Sequence, residues 1–257
     1  MVGHLVIDRP RGGAENMAID DRLLQWAAEN DSVVFRWYRW AEPTLSLGYF
    51  QPVQDRAGHS TSQAIAAVRR STGGGAIVHH FDWTYSVAMP AALLGPSVGA
   101  ASAVYDAVHS EVVSWLRENG VEASQVRAEE TCAPKDGKCA FLCFQRRSVG
   151  DVVADGFKLL GSAQRRRYGG LLQHGSLLLG ESPHAPELPG IAEVKSNGRL
   201  TNLTGDNQVL DQLAWRIADK IGSIWGVSFD PLEGVEGLVS CSPPFAPFDE
   251  SDWTERR

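Results

Sequence analysis

Apolar residues recur at helical spacing in three stretches of the chain. Over residues 100–119, Val104, Val108, Val112, Trp115 and Leu116 share one face, and Gly120 follows as a stop. Over 207–225 a second stripe runs through Leu210, Leu213, Ile217, Ile221 and Ile224, with Gly226 just after it. A third helix is predicted over 15–29 from Met17, Leu23, Leu24 and Ala27. Stripes of this kind build core. Short apolar runs bounded by turn residues predict strands over 5–8, 33–39, 45–47, 64–70, 76–79 and 84–89, then over 151–154, 158–164 and 171–179. Between the first two of the later group stands Asp155-Gly156, the strongest hairpin signal in the chain, because both central residues of a type I′ turn need positive φ.

Most strands are joined by short turns, and helices separate the groups instead of alternating with single strands. That order predicts an α+β fold with a mixed, mostly antiparallel sheet flanked by helices. No repeat, low-complexity tract or linker divides the sequence, so residues 1–257 are expected to form one domain. The stretch 122–138 is polar and aperiodic and is expected to be a long loop. The tail from Pro243, with Pro244 and Pro247, is expected to run over the surface as far as Trp253.

Composition narrows the class. With 43% hydrophobic and 21% charged residues the chain can build a sizeable core, and no apolar run approaches the ~18 residues of a membrane span. The first residues lack a basic leader followed by an apolar stretch, so a cytoplasmic setting is expected. A net charge of −7 argues against general nucleic-acid binding. Within that acidic total, Arg146, Arg147 and Arg165, Arg166 and Arg167 lie close together in sequence. They form either a solvated face or a dock for an acidic partner. Cys132, Cys139, Cys143 and Cys241 contain no CxxC spacing, so no metal site is expected and reduced thiols are.

Three motifs carry candidate chemistry. Arg69-Arg70-Ser71-Thr72-Gly73-Gly74-Gly75 leads into a strand ending at His79. Three glycines let backbone approach a ligand, yet no Gly-Lys-Ser/Thr follows, so this is no phosphate-binding P-loop. Strand alternation would send only one of the paired arginines to the ligand face. The second motif is Cys143-Phe144 followed by Asp155-Gly156-Phe157-Lys158, whose strand continues into Gly161, Ser162 and Ala163. Lysines beside turns usually face water; small residues further along this strand leave room for a ligand on its face. An ammonium held near a thiol favours the reactive thiolate. The third motif is Gln173-His174-Gly175-Ser176.

Together with Asn16 to Asp20, Leu45 to Gln51, Thr84-Tyr85-Ser86 and the closing Ser251-Asp252-Trp253, these motifs resemble the cysteine-dependent octanoyltransferases of the biotin/lipoate ligase superfamily. The likeness spans nearly the whole chain and implies a single biotin/lipoate ligase-like catalytic domain. It implies that Cys143 takes an octanoyl or lipoyl group from acyl carrier protein as a thioester. Lys158, fifteen residues later, would depress the thiol pKa and polarise the carbonyl. Arg70, Gly73, Gly74, Gly75, His79, Gly161, Ser162, Ala163, His174 and Gly175 would line the acyl groove. The implied acceptor is a lysine of a glycine cleavage H protein or of a 2-oxoacid dehydrogenase lipoyl domain, in protein lipoylation, with no cofactor. His80 departs from the pattern, standing where an acidic residue commonly follows the motif histidine. Residues 199–203 also resemble the adenylating lipoate–protein ligases, which use ATP and Mg and no cysteine nucleophile. A ligase, or a non-catalytic lipoyl-domain binder, is the competing expectation. For both His79 and His174 a packed, hydrogen-bonded role is expected ahead of proton transfer.

Overall fold

The computed structural model describes residues 1–95, 100–131, 140–194 and 207–257. Cys132, Cys139 and the 199–203 segment lie outside them. Eleven strands follow in chain order: β1 (Val2–Ile7), β2 (Val33–Tyr38), β3 (Thr44–Leu47), β4 (Ala66–Arg69), β5 (Ile77–His79), β6 (Asp82–Pro90), β7 (Ala123–Gln125), β8 (Val152–Ala154), β9 (Phe157–Arg167), β10 (Gly170–Leu178) and β11 (Ser228–Glu233). The α-helices are α1 (Gly13–Glu29), α2 (Ala100–Glu118), α3 (Asn207–Trp225) and the short α4 (Ser251–Glu255).

Eight strands make one mixed sheet in the order β11-β1-β2-β6-β10-β9-β8-β7. The β11–β1 and β1–β2 pairs are parallel, and every later neighbour is antiparallel. A second sheet, β4-β3-β5, pairs β3 parallel with β4 and antiparallel with β5. The period of two along the central strands decides what each face carries. Val33, Phe35 and Trp37 of β2 and Trp83, Tyr85 and Val87 of β6 join the α2 and α3 stripes in the largest core cluster. Val34 and Ala88, on the opposite face, pack with Ile19, Leu23 and Leu24 of α1. Helices thus cover both faces, and β2 is buried throughout.

The Asp155-Gly156 turn forms as expected, with φ of 48° and 81°. Strand β9 runs beyond the expected 158–164, because Arg165, Arg166 and Arg167 continue the ladder against β10. Tyr168 and Gly169 close that second hairpin, again at positive φ. Two expectations are corrected. The first part of the 122–138 stretch is not loop: Ala123, Ser124 and Gln125 pair with β8 as the sheet's edge, a strand too short to show a period. The tail does not merely cross the surface, since Phe248 is 3% exposed and the Trp253 indole donates to the Arg69 carbonyl. No described helix is long and apolar enough to cross a membrane.

Candidate active site

Between the α1 face of the large sheet and the small sheet lies a small apolar cavity. Its walls draw on Met17 of α1, Tyr38 and Trp40 at the end of β2, Ile77 and His79 of β5, and His174, Gly175 and Ser176 of β10. Arg70, Gly74, Cys143, Gly161, Ser162 and Ala163 complete the side toward the second motif. Cys143 opens a single 3₁₀ turn and is held to the glycine motif: its amide donates to the Ala76 carbonyl at 2.7 Å, and Ala76 donates to Phe141 at 3.0 Å. The thiol is free and partly exposed.

The β8–β9 hairpin carries Lys158 to the thiol. Nζ stands 3.7 Å from Cys143 Sγ, 3.5 Å from the Cys143 carbonyl oxygen and 2.7 Å from Asp151 Oδ2. An ammonium has three N–H groups, and here they have three acceptors. Lys158 is buried, at 6% exposure, where an unpaired ammonium would be costly. Asp151, the residue before β8, supplies the counter-charge, and Tyr105 and the Ser148 amide donate to the same carboxylate. Spacing gave no sign of Asp151's part; its position at the start of a strand is all the sequence displays.

Both motif histidines line the cavity as members of packed chains. His79 Nδ1 faces Asp82 Oδ2 at 2.8 Å and Nε2 faces Ser46 Oγ at 2.9 Å, with the ring stacked 3.9 Å from Trp40. Those partners assign the neutral ring an Nδ1–H, so Nε2 accepts from Ser46. Burial pushes the His79 pKa down despite the Asp82 carboxylate. His174 Nδ1 faces Asp20 Oδ2 at 3.3 Å and Nε2 faces Thr72 Oγ1 at 2.5 Å. Asp20 would be raised by burial, but the His174 bond, the Arg36 charge and the Tyr38 hydroxyl hold it below the usual carboxylate range. Asp82, which faces His79, also accepts from Thr84 and Ser176. His80 instead meets Ser182 and stacks on Phe81.

Only one of the paired arginines faces the cavity, as alternation requires. Arg70 donates to the Ser46, Gly73 and Gly75 carbonyls and so fixes the glycine loop against β3. Burial lowers its pKa to about 10, partly offset by Cys143. Arg69 turns away, to Gly48, Gln51 and Thr254. Gly74 has φ of 94°, in the left-handed region that glycine adopts without strain. A side chain there would meet Arg70 Nη2, and Cys143 Sγ lies within 4 Å. Gly73 and Gly75 do not line the cavity; they shape the loop. Lys158 borders the neighbouring cleft with Phe144 and Phe157. Residues that the motifs did not single out, above all Trp40, Met17, Tyr38, Ser46 and Asp151, complete the site. Among the described residues no His, Cys, Asp and Glu cluster could hold a metal ion.

The arginines flanking the second motif take different partners. Arg146 donates to the Ala140 carbonyl, Arg147 to Gly156, and Arg167 pairs with Asp21 at 3.5 Å. Arg167 also lies over the Tyr168 ring, and Arg165 over the Tyr49 ring.

Residues 12–187, which contain every one of these motifs, match the family described as lipoyl protein ligase A/B catalytic domain. Octanoyltransferase LipM of Carboxydothermus hydrogenoformans is 37% identical over 171 residues, 65% of this chain and 61% of that protein. Octanoyltransferase LipM of Kyrpidia tusciae is 37% identical over 184 residues, 67% of this chain and 64% of that protein. The chain therefore aligns with less than two thirds of those relatives' length. Protein Ta0514 of T. acidophilum superposes with a TM-score of 0.69 at 19% identity, covering 100% of both chains. Lipoate-protein ligase A bound with ATP superposes with a TM-score of 0.69 at 20% identity, covering 99% of both. At such identities the likeness is one of fold, the α+β lipoate-ligase architecture with its mixed sheet and flanking helices. With its family match running from residue 12 to residue 187, the chain belongs to the lipoyl protein ligase A/B catalytic domain family.

Proposed function

We propose that this chain is an octanoyltransferase, moving an octanoyl or lipoyl group from acyl carrier protein to a lysine of a lipoyl carrier protein through an acyl-Cys143 intermediate. The observation that carries the reading is the 3.7 Å approach of the Lys158 ammonium to the Cys143 thiol at the wall of an apolar cavity. The donor and acceptor are an acyl carrier protein and a glycine cleavage H protein or dehydrogenase lipoyl domain, met in the cytoplasm, with residues 1–257 acting as one catalytic unit.

In the first step the Cys143 thiolate adds to the thioester carbonyl. The new C–S bond forms as the carrier's C–S bond breaks, and the carrier leaves as a thiol after gaining a proton. In the second step the acceptor amine, deprotonated from its ammonium form, adds to the Cys143 thioester; its C–N bond forms as the C–S bond breaks, the nitrogen releases a further proton to water as the amide forms, and Cys143 leaves as thiolate. A nucleophile that is also a good leaving group suits both halves. Lys158 donates to the oxyanion that develops in each, its position fixed in advance by Asp151. Arg70, Gly73, Gly74, Gly75, His79, Gly161, Ser162, Ala163, His174 and Gly175 form and support the acyl groove. At ~0.8 kcal/mol per buried CH₂ the alkyl chain contributes several kcal/mol of binding.

Neither ATP nor a metal ion is needed for this sequence of steps, whereas an adenylating ligase needs both. The chain is incubated with octanoyl-acyl carrier protein in the absence of ATP, and intact mass is followed. A hydroxylamine-sensitive octanoyl adduct is expected on the parent chain and absent from Cys143→Ser. Full transfer by Cys143→Ser, dependent on ATP, would make the chain a ligase.

A further inference from the structure

The tail brings basic side chains to a place that sequence proximity did not suggest. Arg256 lies 4.0 Å from the Tyr49 ring centroid and 3.7 Å from that of Trp253. Arg165, arriving from β9, lies 4.5 Å from the same Tyr49 ring, and Arg257 lies 5.2 Å from the Phe50 ring. None of these three guanidinium groups is paired with a carboxylate among the described residues. Stacking on aromatic faces holds them, and Arg256 and Arg257 are exposed, whereas Arg165 is half-buried with its Nε enclosed. Phe50, 63% exposed, is a large apolar side chain on the surface beside them. Tail carboxylates Asp249, Glu250 and Glu255 line a different cleft, beside β4.

The cluster also stands at the right place. Phe50, Gln51, Phe141 and Arg146, with Asp55 as the single carboxylate, line an open cleft that reaches Gly74, and Gly74 is shared with the cavity that holds Cys143. A ligand on an extended arm could pass from the aromatic–arginine platform along this cleft to the thiol.

We infer that Tyr49, Phe50, Arg165, Arg256 and Arg257 form the docking surface for an acidic protein that presents its acyl thioester on an extended arm. The inference rests on the acyl-Cys143 reading and specifies where its donor binds. The whole chain carries a net charge of −7, so an acidic donor is repelled at long range and needs a local positive surface to orient it. Lone exposed charges would do little, but several guanidinium groups on one rim act together on the association rate.

The test compares two octanoyl donors, an acidic acyl carrier protein and the uncharged N-acetylcysteamine thioester, on the parent chain and on the Arg256→Glu/Arg257→Glu variant. With the carrier protein at low salt, Cys143 loading by the variant should fall roughly tenfold, and the gap should narrow as added salt shortens the Debye length from about 10 Å at 0.1 M. Loading from the small thioester should stay within about twofold, because no docking is involved. Lys220→Glu, the same charge change on α3, should behave like the parent with both donors. Equal losses with both donors would make the tail arginines supports of the site and overturn the docking role. Unchanged loading from the carrier protein would overturn it too, as would a defect confined to transfer onto the lipoyl acceptor. Failure of the parent to acylate Cys143 even from the small thioester would instead sink the transferase reading.

Discussion

A methyl group at position 161 would lie 2.3 Å from Lys158 Cε and 2.6 Å from its Nζ. The atoms in the way are the far end of a flexible side chain, so the backbone need not move; the ammonium must. Gly161→Ala should therefore separate stability from chemistry. The unfolding free energy read from a urea melt is expected to fall by about 1 kcal/mol, because what must give way is the flexible end of a side chain and not backbone. Acyl loading should slow on the order of 100-fold, the scale that a 1 Å misplacement of a catalytic group can cost. Rapid-quench loading kinetics and a urea melt of the same preparation decide the matter. Loss of both would mean that the glycine is needed for folding, and loss of neither would mean that the position of Lys158 does not limit the rate. At this scale the sequence is partly legible. The Gly161-Ser162-Ala163 run shows that the strand bearing Lys158 carries small side chains, but the three-residue spacing does not place Gly161 beside the lysine. The identity of the counter-charge is not visible, because Asp151 meets Lys158 only through the bulged pairing of β8 with β9.

Helix α2 contributes more than a core stripe. His109 is fully enclosed, with Nδ1 2.7 Å from the Gly150 carbonyl and Nε2 2.7 Å from Ser162 Oγ. The ring is neutral, donating from Nδ1 and accepting from Ser162, which in turn accepts from Tyr85. One helix is thereby tied to the cavity wall on β9. Burial pushes the His109 pKa down to about 3, with the Lys158 charge acting in the same direction and the Gly150 bond against it. The sign of the linkage follows. Below pH ~6.5 the unfolded chain binds a proton at this residue that the folded chain refuses until about pH 3, so acidification costs stability across that window. The cost from this one ring approaches ~1.4 kcal/mol per pH unit. His109→Gln, which keeps a donor and an acceptor, should flatten the fall in unfolding free energy between pH 6.5 and 4.5, measured by urea melts at several pH values. An unchanged slope would place the acid sensitivity elsewhere, in His79 first. Periodicity makes elements such as α2, α3 and the Asp155-Gly156 hairpin readable, because repeated burial on one face leaves a period behind. It hides β7, three residues long, and β11, whose burial alternates weakly and whose partner β1 is more than 200 residues away. A histidine inside a valine stripe is likewise silent about the serine it meets.

Across the whole molecule the tail is tied to the cavity that holds Cys143. Phe248 packs in one cluster with Met17, Tyr38, Trp40 and Val68, and three of those four residues are also walls of the cavity. Phe245 and Trp253 flank the same cluster. The proline-rich composition of the region suggested only an extended path, since a single buried phenylalanine leaves no period to read. Truncating Phe248 should then act twice. Phe248→Ala is expected to cost about 3 kcal/mol, the lower end of what a buried aromatic loses on truncation, read from denaturant unfolding. It should also loosen the wall made by Met17, Tyr38 and Trp40, because a cavity left by a large side chain is only partly refilled by its neighbours. The functional readout is chain-length discrimination. Cys143 loading is measured with octanoyl and decanoyl N-acetylcysteamine thioesters, donors that bypass any docking surface. Extra room behind the wall should raise the decanoyl rate relative to the octanoyl rate several-fold, within the ~1–3 kcal/mol that a methylene or two can contribute to discrimination. A variant that loses stability but keeps the parent's ratio would show that the tail braces the fold from outside without setting the depth of the groove.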